Sequence, residues 1–86
     1  MKIYGYNGQK NICGERLRQL RLMRRLSQAA LAAKMQTEGV PMEQDIISRI
    51  ESGERLVTDY EAYTFAKLLG VSLDELISPA CQEDED

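Results

Sequence analysis

Hydrophobic residues recur at helical spacing in the middle of the chain, between Pro41 and Gly53. The apolar side chains that share this spacing are Met42, Ile46, Ile47 and Ile50. They stand at positions i, i+4, i+5 and i+8, which form one face of an α-helix. Proline suits the first turn of a helix and glycine suits the position after its end. The pattern therefore predicts a third helix at about residues 42–52.

The opposite face of this predicted helix is polar. It carries short or planar side chains that form hydrogen bonds: Gln44, Asp45, Ser48, Arg49 and Ser52. A helix with such a face fits the major groove of DNA. Because ordinary surface helices are also amphipathic, this stretch alone favours the plainer interpretation of a small surface helix.

Two further helices are predicted before the central one. Helix 1 spans residues 12–25, with Leu17 and Leu20 facing inward. Helix 2 runs over residues 28–37, because Ser27 is a favourable N-cap and the following alanines are strong helix formers.

Two capping boxes predict the helices that follow. Thr58 with Glu61 begins helix 4, and Ser72 with Glu75 begins the short helix 5. Gly70 ends helix 4, since glycine adopts the left-handed conformation without steric cost. The side chains of helix 4 that we expect to face the core are Ala62, Tyr63, Phe65, Ala66 and Leu69.

Five helices with short connections, no alternating strand pattern and no repeat predict an all-α fold, a compact five-helix domain. Residues 12–78 form this domain. Residues 1–11 are rich in Gly, Asn and Tyr and are interpreted as an irregular N-terminal arm. Residues 79–86, which end in four consecutive acids, are interpreted as an acidic disordered tail.

Charge is divided unevenly along the chain. The net charge is −3, yet residues 1–34 hold eight basic residues against one acid. The remaining residues hold three basic residues against thirteen acids. A basic front suggests an anionic partner, although such a division also suits a protein that needs solubility.

Several classes of protein are excluded by composition. The chain has no histidine, and its two cysteines, Cys13 and Cys81, are too far apart for a metal motif. We interpret Cys13 as a core-edge residue and Cys81 as a tail thiol rather than as nucleophiles, so we expect no enzyme activity and no cofactor. No apolar run reaches the length of a membrane span, and the chain start lacks a signal peptide, which makes a cytoplasmic location the expectation.

Three segments, taken in order, resemble the lambda-repressor-like (Cro/Xre-type) helix-turn-helix DNA-binding family. They are Leu-Ser-Gln-Ala-Ala-Leu-Ala at 26–32, Ile-Ser-Arg-Ile-Glu-Ser-Gly at 47–53, and Ala-Lys-Leu-Leu-Gly-Val-Ser-Leu-Asp-Glu-Leu at 66–76. The resemblance covers roughly residues 13–78. It implies a domain whose helices 2 and 3 form the motif, with helix 3 in the major groove. Many members of the family act as dimeric repressors.

The resemblance also implies roles for individual residues. Gln28 matches a glutamine that touches a phosphate and braces helix 3, so we expect its side chain to be exposed. Arg21 and Glu51 match an internal ion pair between helices 1 and 3, which makes both structural. The remaining positions expected to contact DNA are Glu43, Gln44, Asp45, Ser48, Arg49 and Arg55.

Two features depart from the commonest family pattern. The segment from Met35 to Ile47 is about five residues longer, as in a longer-turn variant, and predicts a wider turn between helices 2 and 3. In addition, Glu43 and Asp45 place acids in the first turn of helix 3, where they stabilise the helix but repel phosphates. We therefore expect a shallow dependence of DNA affinity on salt.

The sequence thus favours a sequence-specific double-stranded DNA-binding protein that regulates transcription as a repressor. We expect a homodimer that pairs through Tyr63, Leu73 and Ile77, with no membrane partner and no small-molecule ligand. The alternative is a protein-interaction module of the same fold, such as an antitoxin-like protein, since a fold does not fix a function. The acidic second half of the chain would suit a basic protein partner.

Overall fold

The structure of the chain is a computed structural model that describes residues 8–78. The acidic tail and residues 1–7 of the arm lie outside the described residues. The helices of the described part are α1 (Gly14–Met23), α2 (Gln28–Thr37), α3 (Gln44–Glu51), α4 (Asp59–Leu69) and α5 (Leu73–Ile77). The predicted all-α, five-helix fold is confirmed for this part of the chain.

One hydrophobic core draws on all five helices. Helix α3 packs against α1 and α2, while α4 packs against α5, α2 and α1. The largest fully buried side chains are Leu17, Leu31, Met35, Ile47, Ile50, Phe65, Leu69 and Leu76. Full burial of one such side chain stabilises the fold by about 1.5–3 kcal/mol relative to its exposure. Leu17, expected to face inward, is among them.

Local capping rules predict three helices well. Helix α2 has the predicted bounds, and the Oγ of Ser27 accepts a hydrogen bond from the backbone N–H of Ala30 at 3.0 Å. Both capping boxes, at Thr58 and at Ser72, are formed in full. Helix α4 ends at Gly70, whose φ of 72° is left-handed.

Helix α3 begins later than predicted. It starts at Gln44, with Glu43 as its N-cap in extended conformation, so the predicted start near Pro41 and Met42 was wrong. Met42 is buried, but it reaches the core from the turn, together with Val40. These two side chains are two positions apart, which is the spacing of extended chain and not of helix. The apolar stripe predicted for α3 therefore combines Met42, which lies in the extended turn, with the three isoleucines, which lie in the helix.

Helix α1 is shorter than the predicted span 12–25. Its start is fixed by Asn11, whose Oδ1 accepts hydrogen bonds from the backbone N–H groups of Cys13 at 3.1 Å and Gly14 at 2.7 Å. A Cβ atom on Gly14 would collide with the backbone carbonyl of Ile50 in α3. The glycine thus lets α1 approach the C-terminal end of α3 closely.

The prediction that Tyr63 faces the core was wrong. Its side chain is 63 % exposed, whereas Phe65 is fully buried. Residues two positions apart on an α-helix point about 200° apart around its axis. Tyr63 and Phe65 therefore cannot both face the core. Glu61 and Thr64 are buried instead, and the hydroxyl of Thr64 donates to the carbonyl of Tyr60 at 2.7 Å.

The turn after α1 contains a left-handed residue that is not glycine. The backbone N–H of Arg25 donates to the carbonyl of Leu22, and that of Leu26 donates to the carbonyl of Arg21, which is the Schellman pattern. Arg25 has a φ of 59° at the position where such a motif favours glycine. This conformation costs a residue with a Cβ atom about 1–2 kcal/mol.

We predict that Arg25→Gly raises the free energy of unfolding by about 0.5–1 kcal/mol, because the relief of strain exceeds the entropy that glycine loses on folding. Urea unfolding followed by circular dichroism measures the change. Arg25→Ala is the matched control, since it removes the same charge but keeps the Cβ atom. Equal stabilities of the glycine and alanine variants would contradict the prediction.

Candidate nucleic-acid interface

Helix α3 exposes a continuous polar face. Ile47 and Ile50 are fully buried beneath it. The exposed residues of the helix are Gln44, Asp45, Ser48 and Arg49, and its C-cap Ser52 is exposed as well. Their side chains are of the kinds that read base edges by hydrogen bonding. The predicted polar face of the third helix is therefore present from residue 44 onward.

A buried ion pair joins α3 to α1. The Arg21 Nε donates to the Glu51 Oε2 at 2.6 Å, and the Arg21 Nη2 donates to the Glu51 Oε1 at 3.0 Å. The two side chains are only 8 % and 4 % exposed. The Arg21 Nη1 also donates to the carbonyl of Leu26 at 2.8 Å, which ties the turn before α2 to the same guanidinium. The pair fixes α3 relative to α1.

Gln28 extends this pair to α2 and back to α3. Its Nε2 donates to the Glu51 Oε1 at 3.1 Å, and its Oε1 accepts from the Gln44 Nε2 at 3.4 Å. The side chain is half-buried, so the expectation that it is exposed was wrong. Gln28 thus bridges the two ends of α3, with a bond of 3.1 Å to Glu51 and a longer, weaker one of 3.4 Å to Gln44.

The amide of Gln44 keeps capacity for a further partner. A primary amide has two N–H donors and a carbonyl acceptor, and the bond to Gln28 uses one donor. The remaining donor and acceptor are the pair that glutamine uses to bind the N7 and N6 atoms of adenine. The bond to Gln28 therefore leaves Gln44 with one donor and its carbonyl acceptor for a base edge.

The first turn of α2 offers backbone donors to an anion. The Oγ of Ser27 is bonded to the N–H of Ala30, while the N–H groups of Gln28 and Ala29 have no acceptor within residues 8–78. Free N–H groups and the positive end of the helix dipole together favour an anion at such a position.

Acidic side chains surround the start of α3. Glu43 is the N-cap and makes no side-chain capping bond, and Asp45 lies in the first turn. Both are exposed and both interact favourably with the helix dipole. The same charges oppose the approach of phosphates, so this end of α3 suits contact with bases better than contact with the DNA backbone.

Arg55 is engaged within the protein. Its Nη1 donates to the Glu61 Oε1 at 3.0 Å and its Nη2 donates to the Glu61 Oε2 at 3.2 Å. The Nη1 also donates to the carbonyl of Leu56 at 2.9 Å. A contact with DNA would therefore compete with this bidentate pair, which anchors the loop between α3 and α4 to the buried carboxylate.

The carboxyl group of Glu61 stays ionised despite its burial. Burial alone raises the pKa of a carboxyl group, but hydrogen bonds from Arg55 and from the backbone N–H of Thr58 outweigh it and lower the pKa of Glu61 below its ordinary value. Thr58 thus shares this acceptor with Arg55, and the carboxylate of Glu61 serves both the ion pair and the capping box of α4.

The thiol of Cys13 is poorly suited to nucleophilic chemistry. Burial raises its pKa from 9.0 to about 11, which keeps the thiol protonated near neutral pH. Within residues 8–78, no cluster of three or more potential metal-binding side chains is present. The helices of this part are all too short to span a membrane.

The sequence patterns missed Arg18. Its exposed side chain lines a shallow recess of about 270 Å³ between α1 and α3, next to Gln28 and Ser48. Arg18 stands one helical turn before Arg21 on α1, and this spacing was the available signal. This spacing places Arg18 beside α3 only if the packing of α1 on α3 is known.

The comparison with family models agrees with this geometry. A family model described as a helix-turn-helix domain matches residues 13–77. In the comparisons with curated proteins and with solved structures, nothing matches.

We predict that Glu61→Gln lowers the free energy of unfolding by about 1–2 kcal/mol at pH 7, since the ionic part of the bonds to Arg55 is lost. Because the folded-state pKa of Glu61 is lowered, its charge stabilises the fold above the ordinary carboxyl pKa of about 4.5, and this contribution disappears as the pH falls through the folded pKa. The difference between wild type and variant should therefore shrink below pH 4.5.

Urea unfolding at a series of pH values measures this difference. Glu54→Gln is the control, because the Glu54 side chain is exposed and such substitutions change stability by less than about 0.5 kcal/mol. A difference between wild type and Glu61→Gln that stays constant on acidification would contradict the assignment.

Proposed function

We propose that this chain, which belongs to the helix-turn-helix domain family, binds double-stranded DNA sequence-specifically and regulates transcription as a repressor. In this proposal α3 enters the major groove and α2 lies across the DNA backbone, as in other proteins with this motif.

The observation that carries the proposal is the hydrogen-bonded chain from Arg21 through Glu51 and Gln28 to Gln44. It sets α2 and α3 at a fixed geometry and orients one side chain of the exposed face. Preorganised side chains bind with a smaller loss of conformational entropy than mobile ones. A surface helix without a binding role needs no such restraint on an exposed glutamine.

The exposed face of α3 supplies the proposed base contacts. Gln44 pairs with adenine, and Arg49 pairs with the O6 and N7 atoms of guanine, each with about 1–3 kcal/mol of discrimination. Asp45 accepts from the N4 of cytosine. Ser48 lies at the edge of this face, next to Arg18 of α1. Glu43 lies beside Asp45 at the same end of the helix.

The proposed phosphate contact of the motif lies at the start of α2. The side chain of Gln28 and the free backbone N–H groups of this first turn provide neutral donors for one phosphate. Arg55 would have to leave Glu61 to reach the DNA. We therefore rest the phosphate contact on Gln28 and assign Arg55 mainly to the loop before α4.

A protein-interaction module is the second candidate. The acidic start of α3, with Glu43 and Asp45 exposed, would attract a basic protein surface as readily as it repels phosphates. Fluorescence anisotropy with a mixed-sequence duplex at low salt separates the two functions. DNA binding predicts a Kd tighter than about 10⁻⁴ M, the usual weak limit of non-specific binding. A weaker Kd favours the protein partner.

The proposed contacts predict different effects of three substitutions. After selection of a binding site from random duplex DNA, Gln44→Ala and Arg49→Ala should each relax the preference at one base pair by about 1–3 kcal/mol. Gln28→Ala should weaken binding to all sequences, because it removes a phosphate contact and the brace on Gln44. Anisotropy with the selected site and its single-base variants measures these effects.

Thr37→Ala is a suitable control, since the Thr37 hydroxyl is exposed and bonds only to carbonyls of its own helix. Equal losses on every sequence for all three substitutions would contradict the assignment of Gln44 and Arg49 to base readout.

We further propose that the protein binds DNA as a homodimer, which would present two half-sites about 34 Å apart. Tyr63, Leu73 and Ile77 are 63 %, 43 % and 37 % exposed, and they form the proposed apolar contact on α4 and α5. Light scattering should give the dimer mass with the selected site bound, and Leu73→Glu should lower it. A monomer mass with and without DNA would contradict this arrangement.

A further inference from the structure

A polar recess lies between α1 and the C-terminal half of α3. It measures about 270 Å³, and the side chains that line it are Arg18, Gln28, Ser48, Glu51 and Ser52. It adjoins the exposed face of α3, because Ser48 belongs to both surfaces. The recess therefore lies at the edge of the proposed DNA interface, on the side of α1.

The negative charge of the carboxylate in this recess, that of Glu51, is already neutralised within the protein. Glu51 receives two hydrogen bonds from Arg21 and one from Gln28, at distances of 2.6–3.1 Å. A carboxylate paired in this way with a buried guanidinium has little net charge left to offer. The electrostatic character of the recess is then set by Arg18.

Arg18 differs from the other arginines of α1. The Arg16 Nε donates to the carbonyl of Glu75 at 3.2 Å, and Arg21 is held by Glu51. Arg18 is exposed, and its guanidinium has no hydrogen bond or ion pair with any of residues 8–78. Among the arginines of α1, Arg18 is therefore the one whose guanidinium has no partner within the described residues.

The hydroxyl groups of the recess are not equivalent. The Ser52 Oγ donates to the carbonyl of Arg49 at 3.1 Å, so its hydrogen is committed to the helix end. The hydroxyl of Ser48 has no such bond within the described residues and can donate outward. Gln28 keeps the second hydrogen of its Nε2 after bonding to Glu51.

We propose that Arg18 binds a backbone phosphate of the DNA strand that borders the groove entered by α3, with Ser48 as the neighbouring donor. An arginine forms short, charge-assisted hydrogen bonds with phosphate oxygens, and a serine hydroxyl adds a neutral one. Arg18 lies on α1, outside the helix that faces the bases, so it contributes affinity without sequence preference. This inference rests on the proposed DNA-binding function.

Salt dependence tests the assignment on the full chain. Each phosphate neutralised adds about −0.9 to the slope of log K against log salt. Arg18→Gln should reduce the magnitude of the slope by about 0.9 and weaken binding roughly eightfold at 0.1 M salt, equally for the selected site and for mixed-sequence duplex. Arg18→Lys should keep the slope, because it keeps the charge.

Lys10→Gln is the matched control. It removes the same charge from an exposed side chain, which lines a different recess beside Ile12 and Ile77. Its slope should equal that of the wild type. Circular dichroism and urea unfolding establish that Arg18→Gln is folded, which the exposure of Arg18 leads us to expect.

The outcomes separate the two proposals. If the wild type binds DNA and Arg18→Gln has the same slope as Lys10→Gln, the role of Arg18 is overturned and DNA binding stands. A loss of affinity in Arg18→Gln with an unchanged slope also overturns it, since a folding or packing defect would then be the cause. If the wild type binds no duplex at low salt, DNA binding itself is overturned, and the phosphate contact with it.

Discussion

The buried ion pair between Arg21 and Glu51 is the constraint on which the interface depends. A buried pair contributes little net stability compared with apolar residues of the same size, but loss of one partner costs about 3–5 kcal/mol because a charge is left unpaired in the interior. Its effect is therefore on geometry. Glu51 reaches its partner only when the end of α3 lies against α1, and only in that position can Gln28 bond to Glu51 and Gln44 together. The same contacts therefore hold α1, α2 and α3 together and reach the exposed side chain of Gln44.

The longer turn between α2 and α3 is compatible with that arrangement because it is anchored at both ends. Residues 38–43 connect the helices. The backbone N–H of Val40 donates to the carbonyl of Met35, and the Gln36 Nε2 donates to the carbonyl of Met42 at 2.7 Å. Val40 and Met42 are buried, whereas Pro41 between them is exposed. The extra residues form an extended segment pinned to the core, so the added length need not loosen the angle between the helices.

The sequence predicted best those features that depend on neighbouring residues. The capping boxes at Thr58 and Ser72 need only a side chain and a backbone three residues away, and both form as predicted. The predicted start of α3 was wrong because the buried Met42 fits a helical stripe and an extended segment equally well. The cap by Asn11 was a local signal that was missed, because Asn is a favoured capping residue and its Oδ1 accepts from N–H groups only two and three positions away. Its other bonds, from Nδ2 to the carbonyls of Ile50 and Arg55, span 39 and 44 positions of the chain, and no local pattern predicts them.

The use of cations within the fold leaves fewer free charges on the basic front of the chain than its sequence suggests. Arg24 donates to the carbonyl of Leu69, and Arg21 and Arg55 neutralise buried carboxylates. These charges stabilise helix ends and the core, and they are lost as free charges for phosphates. Non-specific affinity depends on phosphate neutralisation, whereas sequence preference depends on contacts to base edges. A protein that uses its arginines internally therefore weakens its binding to every DNA sequence by a similar factor and leaves sequence preference to its base contacts. The proposed preference among DNA sequences therefore rests on the exposed side chains of α3 and not on the basic front of the chain.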